Sequence, residues 1–200
     1  MNSLKSQQLN GFRLAWWLSV FTGAVTSGCV YAFGPSGDAR LFELATQLGG
    51  IGNDLFLLLT NAIIFNWAWR RKLRGVIRLT LFLDIGVWLV VQSVKLIPFG
   101  DWALRPNGEI GGFPSGHTTH AFAMAFALTT LFPRYGWFWH LCAGVIAWSR
   151  VESDWHSPLQ VTAGVFLGIG AGVIFIRSLW KKTAVPAEHP GAAKPFIARR

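Results

Sequence analysis

The chain has 200 residues, of which 52% are hydrophobic and only 14% charged, with 11 tryptophans. That balance is too apolar for an ordinary water-soluble domain, and the length suits one compact domain. The formal net charge of +9 on its own would suit a nucleic-acid binder, but the basic residues sit beside apolar spans and follow a topological pattern, which sets that reading aside. Cys29 and Cys142 lie in apolar runs and offer neither a disulfide framework nor metal-ligand spacing.

In chain order, residues 14–33 form an uncharged stretch long enough to cross a hydrocarbon core of ~30 Å. A cleaved signal peptide would have a shorter apolar region followed by a small-residue cleavage site. Thr26-Ser27-Gly28-Cys29 is a poor match to a lipoprotein box, so a retained helix is expected. Further spans read at about 50–69, 76–97, 116–132, 135–151 and 158–180, with the first extending over 12–33. The fold class expected is all-α, a polytopic membrane bundle of six transmembrane helices over residues 1–182. Residues 183–200 are expected to form a mobile cytoplasmic tail, being rich in Ala and Pro with scattered charge. Gly164, Gly168 and Gly172 recur every four residues in the last span, a stripe that lets helices approach closely.

Counting charges along six spans with a cytoplasmic N-terminus puts 14 of the 18 Lys and Arg residues on the cytoplasmic side. That bias orients the chain. Trp16, Trp17, Trp67, Trp69, Trp137, Trp139 and Trp180 fall near the same interface, as an aromatic belt does. Arg40, Lys95, Arg105 and Arg150 are left outside, and three of these lie in or beside two outer loops. Positive charge kept on the face that otherwise excludes it points to an anionic ligand.

Those loops carry the chemistry. Phe113-Pro114-Ser115-Gly116-His117 opens the fourth span, and Ser149-Arg150-Val151-Glu152-Ser153-Asp154-Trp155-His156 closes the fifth. Free amides at a helix N-terminus bind anions, and Gly116 lets a phosphate come near. Arg offers a planar fork to two phosphate oxygens; Lys offers a point charge. Two histidines can divide phosphoryl transfer, one attacking phosphorus and the other protonating the leaving oxygen. No metal or cofactor is expected, since no carboxylate cluster stands ready for one.

These residues resemble the type 2 phosphatidic acid phosphatase superfamily, whose motifs are Lys-x6-Arg-Pro, Pro-Ser-Gly-His and Ser-Arg-x5-His-x3-Asp. The second is matched in full by Pro114-Ser115-Gly116-His117, and the third at Ser149, Arg150 and His156. The resemblance runs from about residue 95 to 160 and implies His156 as nucleophile and His117 as general acid. It implies Lys95, Arg105, Ser115, Gly116 and Arg150 as phosphate ligands. Two positions depart from the pattern. Nine residues, not six, separate Lys95 from Arg105. Gln160 stands where the family has the Asp that orients the nucleophile. Three readings follow: Gln160 is a neutral orienter, Asp154 or Glu152 supplies a carboxylate instead, or the chain binds without catalysing. A Gln160→Asp change is expected to leave activity intact or raise it.

Other polar residues receive plainer readings. His120, one turn after His117, is expected to support or pack. His140 and His189 are assigned no chemistry. Asp84 is expected to be structural, partnered by Asn61, Asn66 or Arg78. Asp54 either neutralises a basic site residue such as Lys95 or is simply interfacial. Asp101 and Glu109 are solvated loop acids or orient Arg105. Trp102 and Trp155 anchor at the lipid interface or line substrate entry.

The resemblance implies a metal-independent lipid phosphatase in the bilayer of an inner membrane, with its site on the periplasmic or extracellular face and both termini cytoplasmic. Phosphatidic acid, phosphatidylglycerol phosphate, polyprenyl diphosphates such as undecaprenyl diphosphate, and lipid A phosphates are the implied substrates. A lipid-to-lipid phosphotransferase and a non-catalytic lipid-phosphate binding or transport protein are the alternatives. No nucleic-acid partner is expected, and the sequence leaves the oligomeric state open.

Overall fold

A computed structural model describes residues 2–183, with side-chain surroundings for 9–180. The tail expected over 183–200 therefore lies, after its first residue, outside the described residues. Seven α-helices follow in order: α1 (Asn2–Phe33), α2 (Ala39–Gln47), α3 (Asn53–Arg70), α4 (Arg74–Lys95), α5 (Gly116–Leu131), α6 (Gly136–Glu152) and α7 (Pro158–Thr183). No strand occurs among the described residues.

Four stretches are long and apolar enough to cross a membrane: Leu9–Phe33, Ala39–Arg70, Arg74–Lys95 and Pro158–Trp180. The described residues are thus all-helical, with four candidate membrane spans. The other two expected spans form as α5 and α6, at 16 and 17 residues. At ~1.5 Å per residue each is roughly 25 Å long, below the ~30 Å of a typical hydrocarbon core.

The second span differs most from expectation. It begins at Ala39 rather than near residue 50, because Asp38 caps α2 by accepting the Arg40 and Leu41 amides. α2 then runs into α3 through a π-helical turn, Leu48–Gly52. The Gly49-Gly50 pair reads as a boundary in sequence, yet here it supplies a wide turn that packs on α6.

α5 is apolar on all sides, as a central helix must be. From Thr118 to Thr130 it buries every residue except His120, and it packs against α1, α3, α4, α6 and α7. The α7 glycine stripe makes the closest of these approaches. A Cβ at Gly164 would stand 2.7 Å from the Ser115 carbonyl oxygen, and one at Gly172 would stand 2.7 Å from Phe126 Cβ. This packing fixes where α5 begins, and so where Ser115, Gly116 and His117 sit.

Chain direction alternates, so one end of the bundle gathers the last residues of α1, α4 and α6 and the first of α3, α5 and α7. At the opposite end, Trp16, Trp17, Trp69 and Trp137 are exposed, and Trp67 meets Phe132 edge-on with centroids 5.5 Å apart.

Candidate active site

The sharp turn after α6 sets the first half of the site. The Trp155 and His156 amides both donate to the Arg150 carbonyl, at 3.1 and 2.9 Å, while Asp154 takes φ 56°. The turn folds His156 back over the helix end, where it is 2% exposed.

Gln160, in the first turn of α7, is wholly buried. Its Oε1 accepts from His156 Nδ1 at 3.2 Å and from the Ser157 amide at 3.1 Å. Its Nε2 donates to the Leu104 carbonyl at 2.6 Å. Reversing the amide would set oxygen against oxygen at Leu104 and NH2 against N–H at Ser157. The orientation is therefore fixed: Nδ1 of His156 carries the proton, and the lone pair stays on Nε2. Gly112 makes room for this arrangement, since a Cβ there would lie 2.7 Å from Gln160 Nε2 and 2.9 Å from the Arg105 amide.

The other carboxylates of this segment are engaged or turned outward. Glu152, 3% exposed, accepts from the Ser36 amide at 3.1 and 3.2 Å and from the Ser36 hydroxyl. It ties the α1–α2 loop to the end of α6, so its carboxylate is not directed to His156. Asp154 is exposed.

Arg150 is 5% exposed. One NH1 donates to the Gly49 carbonyl at 3.0 Å, in the π-helical turn. A Cβ on Gly49 would stand 2.7 Å from that NH1 and 2.8 Å from Ser149 Oγ, so only glycine fits. Arg105 pairs with Glu109 at 2.7 Å, the Glu109 side chain remaining 59% exposed, so of its two readings the acid is solvated and also contacts Arg105. Both guanidinium groups stack on one indole: Trp155 has the Arg105 carbon 4.8 Å from its ring centroid and that of Arg150 at 5.2 Å. Trp155 thus pairs the two arginines, a role beyond the interfacial anchoring its position suggests. Nε of each arginine is buried without a partner, which suits an anion between them.

Across from them, Ser115 occupies the N-cap position of α5, its hydroxyl pairs with Thr118 Oγ1 at 3.0 Å, and its amide donates to the Gln160 carbonyl at 3.0 Å. The next amides, of the first helical turn, point out of the helix as an anion site requires. Lys95 ends α4 and, despite the longer loop, lines a cavity of about 270 Å³ with Gly116 and His117. Both histidines feel the charges of Arg150 and Lys95. All eight residues singled out in sequence therefore lie at one end of the bundle. His156 has its pKa pushed down to about 3, first by burial and then by Arg150 and Lys95, with the Gln160 hydrogen bond opposing.

The plainer readings are resolved as well. His120 bonds the Asp84 carbonyl at 3.1 Å, a supporting contact to α4. Asp84 has Asn61 as its side-chain neighbour. Trp102 packs in the outer loop against Phe99, tilted at 45° with centroids 5.4 Å apart, and edge-on against Phe113 at 5.1 Å. Among the described residues no three His, Cys, Asp or Glu side chains converge as metal ligands do. Sequence reasoning missed Gly49 and Leu104, which act through backbone carbonyls; only the glycine pair left a trace.

Fold and site together define a helical bundle with candidate membrane spans and a cluster of histidine and basic side chains at one end. Residues 94–184, from the end of α4 through α7, match the PAP2 superfamily model. The bacitracin transport permease protein BcrC of Bacillus licheniformis is 39% identical over 57 residues, which is 28% of this chain and 28% of that protein. The match thus spans little more than a quarter of the relative's length. No solved structure matches the chain.

Proposed function

We propose that this protein is an integral membrane lipid phosphatase that hydrolyses a lipid phosphomonoester or diphosphate through a phosphohistidine. The observation that carries the reading is the locked amide of Gln160, which leaves Nε2 of a buried, neutral His156 as the free nucleophile among Arg150, Lys95 and Arg105.

In the first step His156 Nε2 attacks phosphorus, the P–O bond to the lipid breaks, and His117 gives its proton to the departing oxygen. In the second, His117 takes a proton from water, the water oxygen bonds to phosphorus, and the P–N bond breaks. Arg105, Arg150, Lys95 and the amides at Gly116 and His117 neutralise the equatorial oxygens, which is where most of the barrier reduction arises. Gln160 orients His156 without a charge, as the Asn of Cys-His-Asn proteases orients its histidine.

Topology completes the reading. α5 and α6 cross with the four longer spans, making six; the N-terminus and the Arg70–Arg74 turn face the cytoplasm, and the site opens on the outer face of an inner membrane. The lipid substrate enters from the bilayer, and polyprenyl diphosphates such as undecaprenyl diphosphate are among its candidates. Phosphatidic acid, phosphatidylglycerol phosphate and lipid A phosphates are the others. A transport role, which the printed name of the BcrC relative raises, is the second reading, because Gln160 brings no charge to the nucleophile.

The test is phosphate release by purified protein from a panel of these lipids, with vanadate added as a five-coordinate phosphorus mimic. Release that vanadate blocks is expected. Vanadate-sensitive transfer to an added lipid alcohol instead of water would mark a phosphotransferase, and no release from any lipid would leave the transport reading.

A further inference from the structure

The carboxylate that the family places beside the nucleophile is missing from His156, but one faces the other histidine. Asp54 stands in the first turn of α3, directly after the π-helical turn that offers the Gly49 carbonyl to Arg150. It lines the 270 Å³ cavity together with Asn53, Gln92, Lys95, His117 and His120. Asn53 Nδ2 donates to Asp54 Oδ1 at 3.4 Å, and Asn53 Oδ1 is buried without a partner.

The charges acting on His117 come from every side. Lys95 contributes from α4, Arg150 from α6, His120 from its own helix and Asp54 from α3. Of these four, Asp54 alone is an anion. Three other acids of this end are engaged elsewhere, Glu152 with Ser36, Glu109 with Arg105 and Asp38 as the cap of α2, while Glu43, Asp101 and Asp154 are exposed and do not line the cavity.

A general acid must carry its proton when the P–O bond breaks, yet the cations that bind phosphate oppose a charged imidazole next to them. An acid facing the same cavity offsets that opposition. We propose that Asp54 is a positioning residue that stabilises the imidazolium form of His117, and so serves the leaving-group step in particular. The inference rests on the phosphatase reading and assigns the acid that lines the cavity. The two histidines then differ in kind: the nucleophile is oriented by a neutral amide and stays uncharged, while the proton donor faces a carboxylate.

The experiment compares Asp54→Asn and Asp54→Glu with the parent on two substrates that share a phosphoryl group. One is p-nitrophenyl phosphate, whose phenolate leaves without help; the other is an acylglycerol phosphate, whose alkoxide needs a proton. Asp54→Asn is expected to lower kcat/KM for the alkyl substrate ~10–100-fold, within what general-acid assistance supplies, and that for the aryl substrate less than about threefold. The basic limb of the alkyl pH profile should move to lower pH, Asp54→Glu should restore part of the loss, and Asp54→Asn should add nothing in a His117→Ala background. Equal losses on both substrates, an unmoved pH profile, or a full further loss in His117→Ala would overturn the role of Asp54. A parent inert on both substrates would instead overturn the phosphatase reading, and this inference with it.

Discussion

His140 and His156 are almost equally buried, at 1% and 2% exposed, and they are bound in opposite ways. His140 sits between α1, α5 and α6 with both ring nitrogens engaged: Nε2 with Ser19 Oγ at 2.7 Å, Nδ1 with the Gly136 carbonyl at 2.9 Å and Thr129 Oγ1 at 3.2 Å. His156 has one nitrogen engaged, and three cations bear on it. Burial alone does not mark a working histidine. A ring whose second nitrogen is left unused, beside several cationic side chains, is the stronger candidate.

Exchanging each ring for a methyl group should break the comparison most sharply. His156→Ala is expected to remove vanadate-sensitive phosphate release, a loss of at least ~10⁴-fold if His156 forms the covalent bond. His140→Ala should leave kcat within about twofold but cost ~1–3 kcal/mol of stability by orphaning Ser19 and the Gly136 carbonyl. Turnover and thermal unfolding of both variants in one detergent check the pair; unchanged turnover in His156→Ala would remove the nucleophile assignment.

The next effect in size sharpens the reason His156 is usable. Gln160→Leu keeps the packing volume but frees the His156 ring and strips the Leu104 carbonyl of its donor. A loss of ~10²–10⁴ in kcat is expected, the scale on which a wrong tautomer acts in a serine protease triad. Trapping the phosphohistidine with labelled lipid would show whether the first step is the one slowed.

The smallest effect is one of pH. Folded, His156 binds its proton near pH 3, and unfolded near 6.5. The folded value is the lower one, so the unfolded chain takes up the proton first. The contribution to stability is fully present above 6.5 and is lost as pH falls from 6.5 toward 3. The melting temperature of the parent should therefore fall over that window more steeply than that of His156→Ala. Parallel slopes would mean that the ring is not held neutral by its surroundings.

Much of the site was legible because its residues lie in two short runs at helix ends. Local geometry alone places His117 in the first turn of α5 and turns His156 back over α6. Gly164, Gly168 and Gly172 foretold where α7 meets α5, since a periodic lack of side chains is a local property with a long-range result. Asp54 stayed undecided in sequence because no spacing rule links it to His117, 63 residues away. For Trp155 the sequence leaves interfacial anchoring and substrate entry both open, because pairing two arginines on one ring needs both loops in place.

By itself the sequence determined that the chain is helical, that it carries apolar spans suited to a membrane and that its candidate phosphate ligands cluster at helix ends, because hydropathy, charge bias and motif spacing are written along the backbone. Only the tertiary structure decided how Gln160 faces, that Glu152 serves Ser36, that Gly49 holds Arg150 through a π-helical turn and that Asp54 shares a cavity with His117. Each of those depends on helices packed from distant parts of the chain, where a carbonyl or a missing Cβ does the positioning and leaves little mark in the letters.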